Sequence, residues 1–169
     1  MSADERQGLG ADQLAAYYTL MEVGSLLEQA VAQHLREDGD LSPVQAQILA
    51  VLGDTSEDGL RMTDIADRIV YSRSGFSYQA GKLEQRGLIT RAPAADDERS
   101  TLLSLTAEGR DLLRRVRPGH VELVRMLVFE AMPDADVQAL RNVLEPVRDR
   151  LRQDPPRSAR AQARRNTRD

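Results

Sequence analysis

The 169-residue chain is 41% hydrophobic and 30% charged, enough apolar material for one globular domain with an extension and too much for a wholly disordered chain. It has no cysteine, which excludes disulfides, thiolate metal sites and thiol redox sensing. Its formal charge of −4 averages unlike segments: residues 1–60 hold two basic against eleven acidic residues, 61–117 carry +3, 118–152 carry −1 and 153–169 carry +3. The longest apolar run of the C-terminal half, Met126 to Phe129, falls far short of the roughly 20 residues of a membrane helix. The N-terminus is acidic where a signal peptide is basic, so a soluble, cytoplasmic protein with no membrane partner is expected.

From Asp12 to about Glu37, Leu14, Tyr18, Met21, Leu27, Val31 and Leu35 recur near every 3.5 residues, the stripe of a long amphipathic helix that Asp38, Gly39 and Asp40 end. Ser42-Pro43 supplies an N-cap and a first-turn proline for a second helix with Val44, Ile48, Leu49 and Leu52 on its inner face. After a polar loop from Gly53 to Gly59, Thr63 is a cap for a short third helix bearing Ile65, Ala66 and Ile69. A turn at Val70-Tyr71 leads to Ser72, the cap of a fourth. Two short helices so closely joined predict a helix-turn-helix.

The fourth helix runs from Arg73 to Arg86 and stops at Gly87, suited to the left-handed position that follows a helix. Leu88 to Ala92 and Ser100 to Leu105 read as strands around a loop from Pro93 to Arg99, a hairpin placed as the wing of a winged helix. Thr106 caps a fifth helix, with Glu108 in its first turn. Leu113, Val116, His120, Leu123 and Leu127 form its seam. Pro118-Gly119 predicts a kink or brief interruption. Val137, Leu140, Leu144, Val147 and Leu151 form the seam of a last helix, and such narrow stripes suit helix pairing. From Gln153 onward the chain has Pro155-Pro156 and five arginines without a large apolar residue, predicting a disordered basic tail over 153–169.

Between Ser72 and Gly109 the order Ser72-Arg73-Ser74, Leu83-Glu84-Gln85-Arg86-Gly87-Leu88-Ile89, Asp97-Glu98-Arg99-Ser100 and Leu105-Thr106-Ala107-Glu108-Gly109 resembles the multiple-antibiotic-resistance regulator (MarR) family of bacterial transcription factors. The resemblance implies a mainly α fold with a small β-wing, a winged helix-turn-helix over 43–105 for DNA, and N- and C-terminal dimerisation helices over 12–37 and 106–152. It also implies an obligate homodimer whose two winged helices face one duplex, a pseudo-palindromic operator.

The major groove admits a helix, and the fourth helix offers Arg73, Ser74, Ser77, Tyr78 and Lys82 off the face occupied by Phe76, Ala80 and Leu83. With the cap Ser72, these are the candidate DNA contacts; those of the first turn also meet phosphate at the positive helix end. Gly75 and Gly81 weaken that helix and predict that it orders fully on DNA, and Tyr78 stands where the family often has a basic residue. On the wing, the resemblance implies that Arg99 enters the minor groove while Asp97 holds it by an ion pair. Arg91 has two open roles, a phosphate contact and an internal salt bridge.

His34 and His120 lie on inward faces, where a lone histidine serves packing or lines a cavity. The resemblance implies a small aromatic or carboxylate effector between the dimerisation helices and the winged helix, with Tyr17, Tyr18, Met21 and Arg61 as further candidate contacts. No near-neighbour histidine pair defines a metal site, and no cofactor motif occurs. Nucleophile elbows, phosphate-cradling glycine loops and cysteine nucleophiles are absent as well, so an enzyme is not expected. The expected function is a DNA-binding regulator, a repressor released by ligand; the alternative is a winged helix used only for protein association.

Overall fold

The structure, a computed structural model, describes residues 8–55, 59–94, 97–130 and 132–153. Helix α1 (Ala11–Gly39) ends where Asp40 turns into the left-handed region at φ 50° and sends its N–H back to the Arg36 carbonyl at 3.0 Å. Helix α2 (Pro43–Gly53) starts on a capping box: Ser42 Oγ accepts from the Gln45 N–H, and the Ser42 N–H donates to Gln45 Oε1 at 3.0 Å. That reach changes which side chain is inside. Gln45 is buried and Val44 only half-buried, the reverse of the expected face, because the box folds Gln45 over the helix start and Gln79 receives its free amide group.

Strand β1 (Leu60–Arg61) precedes α3 (Met62–Arg68), so the cap of α3 is Arg61 and not Thr63. Pairing of β1 with the sheet sets the helix start, and the Thr63 hydroxyl is spent on Asp64 Oδ1. Val70 crosses the turn at φ 54°, an uncommon conformation for a β-branched residue, and α4 (Arg73–Gln85) follows. Gly87 takes φ 69° beyond its end, as the sequence predicts.

Strands β2 (Ile89–Ala94) and β3 (Asp97–Leu105) form a longer hairpin than the sequence suggests, with Pro93 opposite Thr101 and a register shift before Ala94 pairs with Asp97. Pro93 is tolerated because the sheet order β1-β3-β2 leaves β2 at an edge. Helix α5 (Ala107–Val124) runs through Pro118 without the expected interruption. Pro118 faces solvent, where the carbonyl that loses its partner meets water. The irregular turn lies further on, a π-helical turn over Arg125–Phe129 closed by the Glu130 N–H on the Arg125 carbonyl, before α6 (Asp134–Gln153).

The core joins Leu35 and Leu41 to Ile48, Leu49, Ile65, Phe76, Leu83, Ile89, Leu103, Leu112 and Val116. It lies under the winged helix and the C-terminal end of α1. The N-terminal half of α1 buries nothing within the chain, and neither does α6, whose apolar side chains are exposed or half-buried. Among the described residues no helix is long and apolar enough to cross a membrane.

Candidate nucleic-acid interface

Helix α4 is fixed by its inner face, where Phe76, Ala80 and Leu83 are at most 1% exposed. Ser72 caps it, its hydroxyl accepting from the Gly75 N–H. The opposite side is then determined by helical spacing: Ser74, Tyr78 and Lys82, at i, i+4 and i+8, form one exposed stripe, with Ser72 and Arg73 exposed at its N-terminal end. Lys82 Nζ lies 4.8 Å from the centroid of the Tyr78 ring, a cation–π contact. Tyr78 therefore does not leave the stripe uncharged.

Ser77 is exposed at the edge facing the wing. Its carbonyl accepts from Arg91 Nη2 at 3.2 Å, while Arg91 Nε lies 2.9 Å from Glu84 Oε2. Of the two roles open to Arg91, the internal salt bridge is the one formed here: the residue ties β2 to α4. Both glycines of α4 leave room for neighbours. A Cβ at Gly75 would meet Tyr71 Cε1 at 2.7 Å, and one at Gly81 would touch Arg91 Nη2 at 3.4 Å. With those side chains packed over them, α4 is one continuous helix from Arg73 to Gln85. Asp97 and Arg99 lie on β3, but their side chains fall outside the described residues.

Thr106 joins the parts. Its hydroxyl donates to the Gly87 carbonyl at 2.7 Å and accepts from the Gly109 N–H at 3.0 Å, so the exit of α4 and the start of α5 share one side chain.

The candidate effector residues divide into groups. His34 of α1 and His120 of α5 stack with ring centroids 6.3 Å apart and planes inclined by 21°. His34 Nδ1 lies 3.6 Å from Asp38 Oδ2, and both His34 Nε2 and His120 Nδ1 are buried without a hydrogen-bond partner. Gly119 permits the approach, since a Cβ there would meet His34 Cε1 at 2.9 Å. Burial, and then the charge of His34, hold the His120 pKa below its ordinary value. Tyr17, Tyr18 and Met21 are exposed and lie about 20 Å or more from His34 along α1, at 1.5 Å per residue. Arg61 sits on β1 and donates to Ser100 Oγ at 3.0 Å. Within one chain the rise of α1 keeps Tyr17, Tyr18 and Met21 away from the histidines. Among the described residues no group of three or more His, Asp or Glu side chains is placed to hold a metal ion.

Residues 39–100 match a family model described as "MarR family". The fold superposes with a TM-score of 0.84 on a MarR family transcriptional regulator, Sco3205 of Streptomyces coelicolor, solved in complex with DNA; the two are 30% identical over 88% of this chain and 92% of that one. The chain belongs to the MarR family of transcriptional regulators.

Other proteins resemble it at lower identity. CouR from Rhodococcus jostii RHA1, solved bound to p-coumaroyl-CoA, is 26% identical over 83% of this chain and 94% of that one, with a TM-score of 0.70. The transcriptional repressor YetL of Bacillus subtilis is 24% identical over 88% of each chain. The family acts on transcription and is not one of enzymes. Some features of this MarR chain escape a reading of the sequence. The Gln45–Gln79 pair joins residues 34 positions apart. Arg86 was legible as part of the helix exit but not as the group that closes α1.

Proposed function

We propose that the protein is a homodimeric, sequence-specific DNA-binding repressor of the cytoplasm. Its winged helix-turn-helix over 43–105 is the DNA-binding domain, residues 12–37 and 106–152 are the dimerisation region, and 153–169 is a basic tail. The observation that carries the reading is the exposed Ser74–Tyr78–Lys82 stripe, with Ser72 and Arg73 at its N-terminal end, on a helix anchored by Phe76, Ala80 and Leu83. Two such helices in successive major grooves, about 34 Å apart, suit a pseudo-palindromic operator. Arg99 and Asp97 serve the minor groove, and Ser77 and Arg91 support the docking edge. Dimerisation is supported by α6, a 20-residue helix with no buried side chain in the single chain, and by exposed Tyr17, Tyr18, Met21, Leu127 and Phe129. Burying those surfaces against a second copy removes the apolar area from water.

A small aromatic or carboxylate effector that prefers the dimer with wrongly spaced reading helices weakens operator binding by the same coupling free energy. The unpaired nitrogens of His34 and His120 are its candidate contacts, with Tyr17, Tyr18, Met21 and Arg61 contributing across the dimer; support comes from a ligand-bound relative, CouR.

The test is operator selection from a random-sequence duplex pool, followed by binding at several salt concentrations. A steep fall of affinity with salt, and its loss in Arg73→Ala, are expected. A flat salt response would overturn the reading.

A further inference from the structure

A groove of about 450 Å³ opens beside the reading stripe, between the C-terminal end of α1, the N-terminal end of α2 and the flank of α4. Its charged lining is Arg36, Lys82 and Arg86 against the single carboxylate of Asp40. Asp40 and Arg86 engage each other, with 3.8 Å between Oδ2 and Nη2. Among the described residues Arg36 makes no ion pair, and Lys82 makes only its contact with the Tyr78 ring. The groove is therefore electropositive and opens onto the same helix as the reading stripe.

Its polar floor has a fixed direction. The Ser42 N–H donates to Gln45 Oε1, so the buried Gln45 side chain, 7% exposed, must turn its amino group the other way. That group donates to Gln79 Oε1 at 3.0 Å. The Gln79 carbonyl oxygen is thus engaged, and its Nε2 is left as a donor in the groove wall. The capping box of α2 sets the orientation of an amide on α4, and what it presents is N–H.

We propose that this groove seats a phosphodiester of the bound duplex, with Arg36 and Lys82 supplying charge and Gln79 Nε2 a directed hydrogen bond. The inference rests on the DNA-binding reading and extends it: the operator backbone then touches α1, the helix of the proposed dimer, as well as the winged helix. Spacing between subunits would be sensed by the phosphate chain directly. An anion is favoured because the groove offers cations and N–H donors, and DNA is favoured because Lys82 belongs both to this wall and to the exposed stripe.

The experiment compares the full-length dimer with Arg36→Gln, Arg36→Lys and Gln79→Glu on a duplex recovered by selection from a random-sequence pool, across a salt series. Gln79→Glu keeps the oxygen that accepts from Gln45 and replaces the amino group by a carboxylate oxygen, so folding is retained while a phosphate is repelled. One phosphate released per subunit lowers the slope of log affinity against log salt by about 0.9, or about 2 for the dimer. Arg36→Gln should show that loss with about tenfold weaker binding at moderate salt, equal for selected and unselected duplexes. Arg36→Lys should restore it, since phosphate accepts a point charge. Gln79→Glu should weaken binding with an unchanged melting temperature.

Slope and affinity unchanged in Arg36→Gln, while Arg73→Ala lowers both, would overturn the groove proposal and leave DNA binding standing. No effect of either substitution would remove both. Stabilisation by millimolar inorganic phosphate that disappears in Arg36→Gln, with the DNA slope unaltered, would make this a free-anion site and overturn the assignment to DNA.

Discussion

Arg86 at the end of α4 closes α1 at Asp40: its Nη1 donates to the Asp40 carbonyl at 2.6 Å and its Nη2 to the Gly39 carbonyl at 3.0 Å. The last carbonyls of a helix lack intrahelical partners, and a guanidinium fork satisfies two of them at once. One side chain thereby sets the angle between the long first helix and the reading helix. Arg86→Ala should lower stability by about 1 kcal/mol, a value reduced from that of a buried charged hydrogen bond because the side chain is one-third exposed. Arg86→Lys should recover little, because an ammonium lacks the planar fork. Urea unfolding checks both, and an Arg86→Ala midpoint equal to wild type would remove the capping role.

The two glycines of α4 should respond oppositely to alanine. At Gly81 the nearest atom is Arg91 Nη2 at 3.4 Å, an ordinary contact distance that displaces nothing, so the gain in helix propensity, up to about 1 kcal/mol, should appear as a higher melting temperature. At Gly75 the new methyl group would lie 2.7 Å from the Tyr71 ring and 2.9 Å from Ser72 Oγ. Displacing that ring disturbs the cap and the turn at once, so Gly75→Ala should be neutral or destabilising and should weaken DNA binding. Equal melting shifts at the two sites would contradict the packing account.

His120 supplies a pH dependence whose sign follows from its environment. Burial and the neighbouring His34 lower its pKa in the folded state, so the unfolded chain binds the proton at higher pH than the folded one does. The neutral ring's contribution is fully present above about pH 6.5 and is lost as pH falls below that value toward the lowered folded pKa. His120→Gln should therefore flatten the fall in melting temperature between about pH 7 and pH 5. Parallel melting curves for wild type and variant across that range would exclude His120 as the source.

How far the sequence carried these features depended on the range of the interaction. Ser42, Ser72 and Thr106 were legible because a cap is settled within three residues, and Gly87 because a left-handed position admits few residue types. Thr63 was misread because the start of α3 is set by β1, whose pairing with β3 joins Leu60 to Leu103 across the chain. Val44 gave way to Gln45 for a similar reason, since the partner Gln79 lies on another helix. Pro118 carried a correct local rule without the interruption it can cause, because its solvent-facing position relieves the lost hydrogen bond. The histidines were legible as inward-facing residues, but their stacking depends on how α1 crosses α5. Helical spacing also separates them from Tyr17, Tyr18 and Met21 within one chain.

Arg91 offers the sharpest separation of a structural tie from a DNA contact, because the two roles predict different salt behaviour. A phosphate contact contributes to counterion release, so its loss lowers the salt slope by about 0.9 per subunit. A tie between β2 and α4 contributes to the placement of the reading helix relative to the wing and leaves the number of neutralised phosphates unchanged. Arg91 reaches both the Ser77 carbonyl and Glu84 Oε2, so breaking either partner should matter. Arg91→Ala should weaken operator binding with an unchanged slope, and Glu84→Gln, which carries no DNA-directed charge, should reproduce part of the loss. The double variant should fall short of the sum of the two single effects, as expected for residues that act on one another. A reduced slope in Arg91→Ala together with a neutral Glu84→Gln would instead assign Arg91 to the DNA backbone, and the ion pair in the free chain would then be one that the duplex displaces.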